Sequence, residues 1–493
     1  MIKQASALLL LAIPGFAPGY PITIHDRLPD VLLHDSTVQA RFAMPPESRL
    51  ARFRTYFYSM AAAGARCDLR LRFLRRYPTS ADFNAQTFKE FLGMSSVHGA
   101  LGFDAYDAVE TNVEKRSPHG PIRPGEERPL VEWIRIGSIL PDLDRRNQDR
   151  WWAPGGQLRR AADGTLVPYD PVVLNMGGVA GLIGQAHAHY ALNRNPKSDD
   201  PAVLKSRPAD FAVRAGFPQA PVLTFAPERA QAYADLAVIA YRFGEPALAA
   251  VFAGNGFHYL ADAANQIHTL QVGIYEIFLD ATWQAWKQKL LTLGGLLGPA
   301  RDRNQIGLDM LTSYHTWSEE IVRIAVERAA GGRPVHPSFS RTDDLLQTDV
   351  AFVEAWRRLP PDGPTLLQII DPIIAAGNKE GPQVYALVRS LTSGKLREAG
   401  VRIDFDGQPD SVVLDYLRPG ADSGMLARFF DLERTGIQRA ATVIALWWRS
   451  RFPDDGKKPT AIIDRLLEQQ LDELDQADAR RNSWIALHSA VAK

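Results

Sequence analysis

Two His–carboxylate pairs in this chain have the residue types and the spacing to hold a metal ion. In Phe257-His258-Tyr259-Leu260-Ala261-Asp262, His258 and Asp262 stand one helical turn apart, and in Tyr314-His315-Thr316-Trp317-Ser318-Glu319 the pair His315 and Glu319 repeats that interval. Residues at i and i+4 of a helix share a face, so each pair presents an imidazole nitrogen and a carboxylate oxygen from one rigid element. His268, six residues beyond Asp262, adds a further imidazole. Imidazole and carboxylate are the ligands zinc accepts in the absence of thiolate. With 1 Cys in the chain, Cys67, an internal disulfide framework and a multi-thiolate zinc site are both excluded. Taken singly, each pair also has a plain reading as two neighbours on a helix surface.

These residues must be positioned by a large fold. The chain has 493 residues, of which 46% are hydrophobic and 23% charged, which suits a sizeable core and favours two domains over one. Lys plus Arg number 56 and Asp plus Glu number 56, so the charge excess of a protein built mainly to coat nucleic acid is lacking. At the N-terminus, Lys3, the apolar run Ala7 to Ile13 and the small residues Ala17-Pro18-Gly19 read as an export signal over residues 1–19, and the expected location is periplasmic or secreted. That run is too short to span a bilayer.

The spacing of apolar residues predicts helices over most of the chain. Helical patterns run over Ser48 to Phe91, Met176 to Leu192, Ala230 to Tyr241, His258 onward, a long stretch holding Tyr275 to Leu290, and Gly307 to Ala330. Pro227 opens one helix at its first turn, Gly254-Asn255-Gly256 reads as a break, and Trp133 to Leu140 is an apolar stretch ending at Pro141. Gly155-Gly156 and Asp163-Gly164 mark turns within Trp151 to Pro171, an expected insertion with a small hairpin. Gly331-Gly332-Arg333-Pro334 closes the first unit, giving expected domains over 20–332 and 333–493. Further helices are expected over Asp343 to Arg357, Thr365 to Ala376, Pro382 to Leu391, Gly424 to Arg449 and Thr460 to Asp478, with a single strand at Val401 to Phe405. The expected class is all-α with minor β insertions.

The string from His258 to His268 resembles the zinc-binding signature of the zinc-dependent phospholipase C and P1/S1 nuclease superfamily, a helical fold with a three-zinc phosphodiesterase site. In that family the mature N-terminal residue binds metal through its amino nitrogen and carbonyl. Cleavage after Gly19 would expose Tyr20 where the family usually has Trp, with His25 following at a nuclease-like interval. Gly137-Ser138-Ile139-Leu140-Pro141-Asp142 resembles the Gly-Ser-x-x-Pro-Asp form of the phospholipase branch, which makes Asp142 the candidate ligand and Asp144 its fallback. His189, followed by Tyr190, fits the family's next His, with His187 the competitor; on a helix the two diverge by about 200°.

The resemblance implies one zinc on Asp142, His189, His258 and Asp262, a second on His268, His315 and Glu319, and a third on the Tyr20 main chain, His25 and Asp262. Asp262 would bridge two ions, and residues 270–310 would be a helical hairpin inserted between ligands. Val272 and Glu276 share the i, i+4 interval, but Val cannot bind metal. The implied activity is phosphodiester hydrolysis by a metal-activated hydroxide, with Asp142 orienting or deprotonating the attacking water.

The Gly-Ser-x-x-Pro-Asp form and Glu at 319 favour a phospholipid substrate, and the short interval from Tyr20 to His25 favours a single-strand nuclease. Trp283, Trp286, Leu290 and Leu291 would suit a lipid, although helical periodicity alone reads them as core. Trp447-Trp448 beside Arg449 and Arg451 suggests either peripheral membrane contact or packing in a core. His34, His98, His119, His336 and His488 have no partner at ligand spacing, and Arg72, Arg75 and Arg76 read as a wet helix face. Gly-x-Ser-x-Gly and P-loop motifs are lacking, which disfavours serine hydrolases and nucleotide triphosphatases. The rival class is a non-catalytic, zinc-stabilised helical binding protein.

Overall fold

The computed structural model describes residues 21–45, 118–119, 125–143, 159–160, 166–167, 191, 226–242, 244–269, 272–292, 303–339, 345–347, 349, 353–354, 366–392, 394, 396, 403, 405 and 408–451. Within them the chain is all-α, with two short antiparallel strand pairs. Helices α1 (Ile22–Arg27), α2 (Leu130–Leu143), α3 (Ala226–Arg242), α4 (Pro246–Ala264) and α5 (Gln266–Thr269) lead up to His268. They are followed by α6 (Val272–Leu291), α7 (Arg303–Ala330), α8 (Leu366–Leu391), α9 (Asp410–Asp415) and α10 (Ser423–Arg451). Strands β1 (Arg41–Ala43) and β2 (Glu127–Pro129) pair with Phe42 opposite Arg128. The expected hairpin is present as β3 (Arg159–Arg160) and β4 (Leu166–Val167), with Arg159 opposite Val167.

Helix α4 is the central element. Pro246 begins it, where the missing N–H costs nothing, and alanine occupies much of its length. Every residue from Ala247 to Ala264 is buried, so this helix has neighbours all round. Gly254-Asn255-Gly256, expected to break the chain, lies inside the helix. The glycines serve close approach instead: a Cβ on Gly254 would stand 2.2 Å from the Ile134 carbonyl oxygen, and one on Gly137 would stand 2.2 Å from that of Val251. Helices α2 and α4 therefore cross backbone to backbone, and that contact leaves no room for a side chain on either glycine.

Four other expectations change, one of them the helix expected over Asp343 to Arg357, where Leu346, Gln347 and Asp349 are not helical. Helix α2 runs through Pro141 to Leu143 instead of stopping before it. The two helices expected within 365–391 are one helix, α8, which contains both Pro372 and Pro382. No strand is present at Ile403 or Phe405. Their N–H groups donate instead to Ser313 Oγ at 2.9 Å and Thr316 Oγ1 at 3.3 Å, side chains that flank His315.

One buried cluster contains residues from both sides of position 332, among them Ile24, Trp133, Phe257, Ile321, Ile374, Phe430 and Trp447. Helix α10 packs on α4 through the edge-to-face pair Phe257–Trp447, with ring centroids 5.5 Å apart. Helix α8 approaches α5 so closely that a Cβ on Gly377 would meet Thr269 Oγ1 at 2.4 Å. Among the described residues, that cluster spans position 332. No described helix is long and apolar enough to cross a membrane. The expected helices at 48–91, 176–192 and 460–478, and the export signal at 1–19, lie outside the described residues.

Candidate metal centre

His25 comes from α1, His258 and Asp262 from α4, and the three side chains meet in the interior, each fully buried. Asp262 divides its oxygens between the imidazoles: Oδ1 lies 3.4 Å from His25 Nε2 and Oδ2 lies 3.2 Å from His258 Nε2. The two imidazole rings are 4.0 Å apart between centroids. Ser138 on α2 contacts both histidines, the ring of one and the main chain of the other. Its carbonyl oxygen lies 2.8 Å from His258 Nδ1, so Nδ1–H donates to it and Nε2 is turned toward the carboxylate. Its hydroxyl lies 2.7 Å from the His25 carbonyl oxygen and 2.7 Å from that of Arg135, and fastens α1 to α2.

A second group forms where α5 meets α7. His268 Nε2 lies 3.3 Å from His315 Nε2, and Glu319 Oε1 lies 3.5 Å from His268 Nε2 and 2.8 Å from His315 Nε2. The imidazoles of His268 and His315 stack with centroids 4.9 Å apart. Asn265 makes the turn that separates the two groups: its N–H closes α4 on the carbonyls of Ala261 and Asp262, while its side-chain oxygen accepts from Ile267 N at 3.1 Å and starts α5. On α7, Trp317 anchors the helix by donating from Nε1 to the Val413 carbonyl at 3.1 Å.

In each group one nitrogen or oxygen from every residue lies within 4.8 Å of the others, and all six residues are buried. Ligand atoms around a tetrahedral zinc with bonds of about 2.0–2.1 Å stand about 3.3–3.4 Å apart. In the second group the separations of 3.3 and 3.5 Å match that edge, whereas in the first the 3.4 and 3.2 Å separations run to different oxygens of Asp262. The 2.8 Å contact of His315 with Glu319 is of hydrogen-bond length and would be exchanged for bonds to the ion. The donor set that the described residues supply, two imidazoles and one carboxylate per group, suits a divalent metal ion such as zinc. Burial alone pushes the Asp262 carboxyl well above the usual carboxylate range, and an adjacent cation is the charge that would reverse this.

Six of the residues expected at the site are thus brought together in two groups. Asp142 lies on α2 one turn beyond Ser138, and its side chain lies outside the described residues, as do Tyr20, His189, His187 and Asp144. Of the remaining histidines, His119 contacts Asp26 and His336 stacks on Phe430. Among the described residues the metal-binding groups number two, both built from the pairs already visible in the sequence. The role of Ser138 as the orienting acceptor was not visible, because no residue spacing links a helix carbonyl to an imidazole 120 positions away. Comparison with protein-family models, with curated proteins and with solved structures finds no match to this chain.

Proposed function

We propose that this protein is a zinc-dependent phosphodiester hydrolase, of the kind that cleaves the glycerol–phosphate bond of phospholipids. The observation that carries the reading is the pair of buried His-His-carboxylate groups, on α1/α4 and α5/α7, joined by the short turn at Asn265. A single structural ion needs only one closed site, whereas neighbouring groups suit a centre of several ions, between which water and substrate oxygens can bind. Asp262, with one oxygen toward each of two imidazoles, is suited to bridging ions. The expected third ion draws on Tyr20, His25 and Asp262, and the first on Asp142 and His189 besides the α4 pair.

Charge supports an anionic substrate. Three divalent ions would bring six positive charges, and Asp142, Asp262 and Glu319 would return three, so the site would be cationic inside a protein with net charge +0. When bound, the metal polarises phosphoryl oxygens and lowers the pKa of water from about 16 towards about 7. The chain holds the geometry: Ser138 fixes the ring of His258, the α2–α4 crossing fixes Ser138, and burial excludes bulk water. Asp142 is the carboxylate this reading assigns to the attacking water, placed on α2 one turn from Ser138.

The test is metal analysis of the purified protein, with assays of a chromogenic phosphocholine diester, a phospholipid and single-stranded DNA, each with and without chelator. Close to three zinc per chain is expected, with chelator-sensitive turnover that is lost in His258→Ala. Turnover on DNA alone would replace the lipid with a nucleic-acid substrate. Bound metal without turnover on any diester would mean that the groups close structural sites.

A further inference from the structure

Among the described residues, seven large apolar side chains are exposed, and five of them lie on α6: Leu279 at 51%, Trp283 at 59%, Trp286 at 53%, Leu290 at 55% and Leu291 at 69%. At 100° per residue, positions 279, 283, 286 and 290 fall within about 60° of arc and form one stripe. The opposite side faces inward, with Ala281, Gln284 and Ala285 buried. This helix therefore reverses the usual arrangement, carrying small residues toward the protein and large apolar ones toward solvent.

Charge identifies what the stripe meets. Lys287 and Lys289 are exposed and lie about 80° to either side of Leu279, so they flank the stripe. From residue 281 to 291 the sequence has no carboxylate, and Asp280 is held by Arg389 on α8 at 2.8 Å. Indoles between an apolar phase and water, flanked by lysines, are the composition of a helix lying in a lipid interface. Trp283 and Trp286 stack on each other with centroids 5.1 Å apart, which leaves no slot for a base between them. Leu279, Leu290 and Leu291 offer no π-face to a nucleobase either.

We propose that the outer face of α6 docks onto an anionic lipid bilayer, with Leu279, Trp283, Trp286 and Leu290 entering the interface and Lys287 and Lys289 meeting the headgroups. Helix α6 follows His268 in the chain and packs on α7, which carries His315 and Glu319, so docking would hold the second metal group at a fixed relation to the membrane. This inference rests on the phospholipid reading of the preceding section.

The experiment is co-sedimentation of the whole protein, in chelator, with phosphatidylcholine vesicles containing or lacking phosphatidylglycerol, followed also by tryptophan emission. Binding to the anionic vesicles with a blue shift is expected. It should fall roughly tenfold or more in W283A/W286A, and fall comparably in K287E/K289E, with the wild-type affinity also weakening as salt rises. Both variants should keep the wild-type melting temperature and zinc content, which shows that they fold. Absence of vesicle binding by the wild type, or undiminished binding by W283A/W286A, overturns the proposal. So does a wild-type dimer that becomes a monomer in W283A/W286A, or retention on single-stranded DNA that this variant loses. Turnover of a soluble phosphocholine diester without vesicle binding would sink the docking face alone. Vesicle binding with no turnover on any diester would sink the hydrolase reading alone.

Discussion

Ser138 illustrates how much a residue that binds no metal can decide. Its carbonyl accepts the Nδ1–H hydrogen bond of His258 and its hydroxyl donates to the main chain at His25, so one amino acid sets the ring of one histidine and holds the backbone of the other. Ser138→Ala keeps the carbonyl and removes the hydroxyl. The expected loss is about 1 kcal/mol of stability from the buried hydrogen bond, with roughly tenfold weaker zinc binding at the first group through a less constrained His25. Zinc titration of the metal-free protein, alongside denaturant melts, measures both. Unchanged zinc affinity would show that α1 is held in place without this contact.

Among the elements, the crossing of α2 and α4 determines whether the first group can form. Gly137 and Gly254 each face a carbonyl oxygen 2.2 Å from where a Cβ would be. Gly254→Ala must push the helices apart, and a destabilisation of about 1–3 kcal/mol or more is expected, with loss of metal from the first group as Ser138 moves away from His258. Gly256→Ala is the control: its nearest neighbour is the Ala230 carbonyl oxygen at 3.2 Å, and the gain in helix propensity of up to about 1 kcal/mol offsets the tighter fit. Thermal melts and zinc content of the two variants should therefore diverge. Equal behaviour would mean that the helix crossing is more compliant than its geometry implies.

For the molecule as a whole, the shared core links the candidate metal groups to the C-terminal helices. Gln266, two residues before His268, donates to Glu380 on α8 at 3.1 Å and to the Leu432 carbonyl on α10 at 2.9 Å, and Arg439 grips Glu380. Beside this network Glu433 is buried, and desolvation together with nearby Glu380 pushes its carboxyl up to about 8. A carboxyl raised in the folded state stabilises fully below its unfolded value and loses that contribution as pH rises through the folded one. Between about pH 5 and about pH 8 the loss is up to about 1.4 kcal/mol per pH unit from this group. Glu433→Gln, neutral at every pH, should flatten that decline, as chemical denaturation across the range would reveal. An unaltered slope would place the pH dependence elsewhere.

The two His–carboxylate pairs could be read from the chain alone. His258/Asp262 and His315/Glu319 were legible because helical geometry ties i to i+4 through local hydrogen bonds, and the helices α3, α7 and α10 were legible for the same reason. Tertiary structure decided what no local rule carries. The glycines at 254 and 256 read as a break because their propensity is poor, yet both lie inside α4, and at 254 the neighbouring backbone of α2 leaves room for glycine alone. Trp447 and Trp448, which could have met a membrane, are buried against the core, whereas Trp283 and Trp286, which read as core, face solvent. Periodicity shows that a helix has two faces. Which of them is covered depends on the partner helices, whose positions are fixed by contacts between residues far apart in the chain.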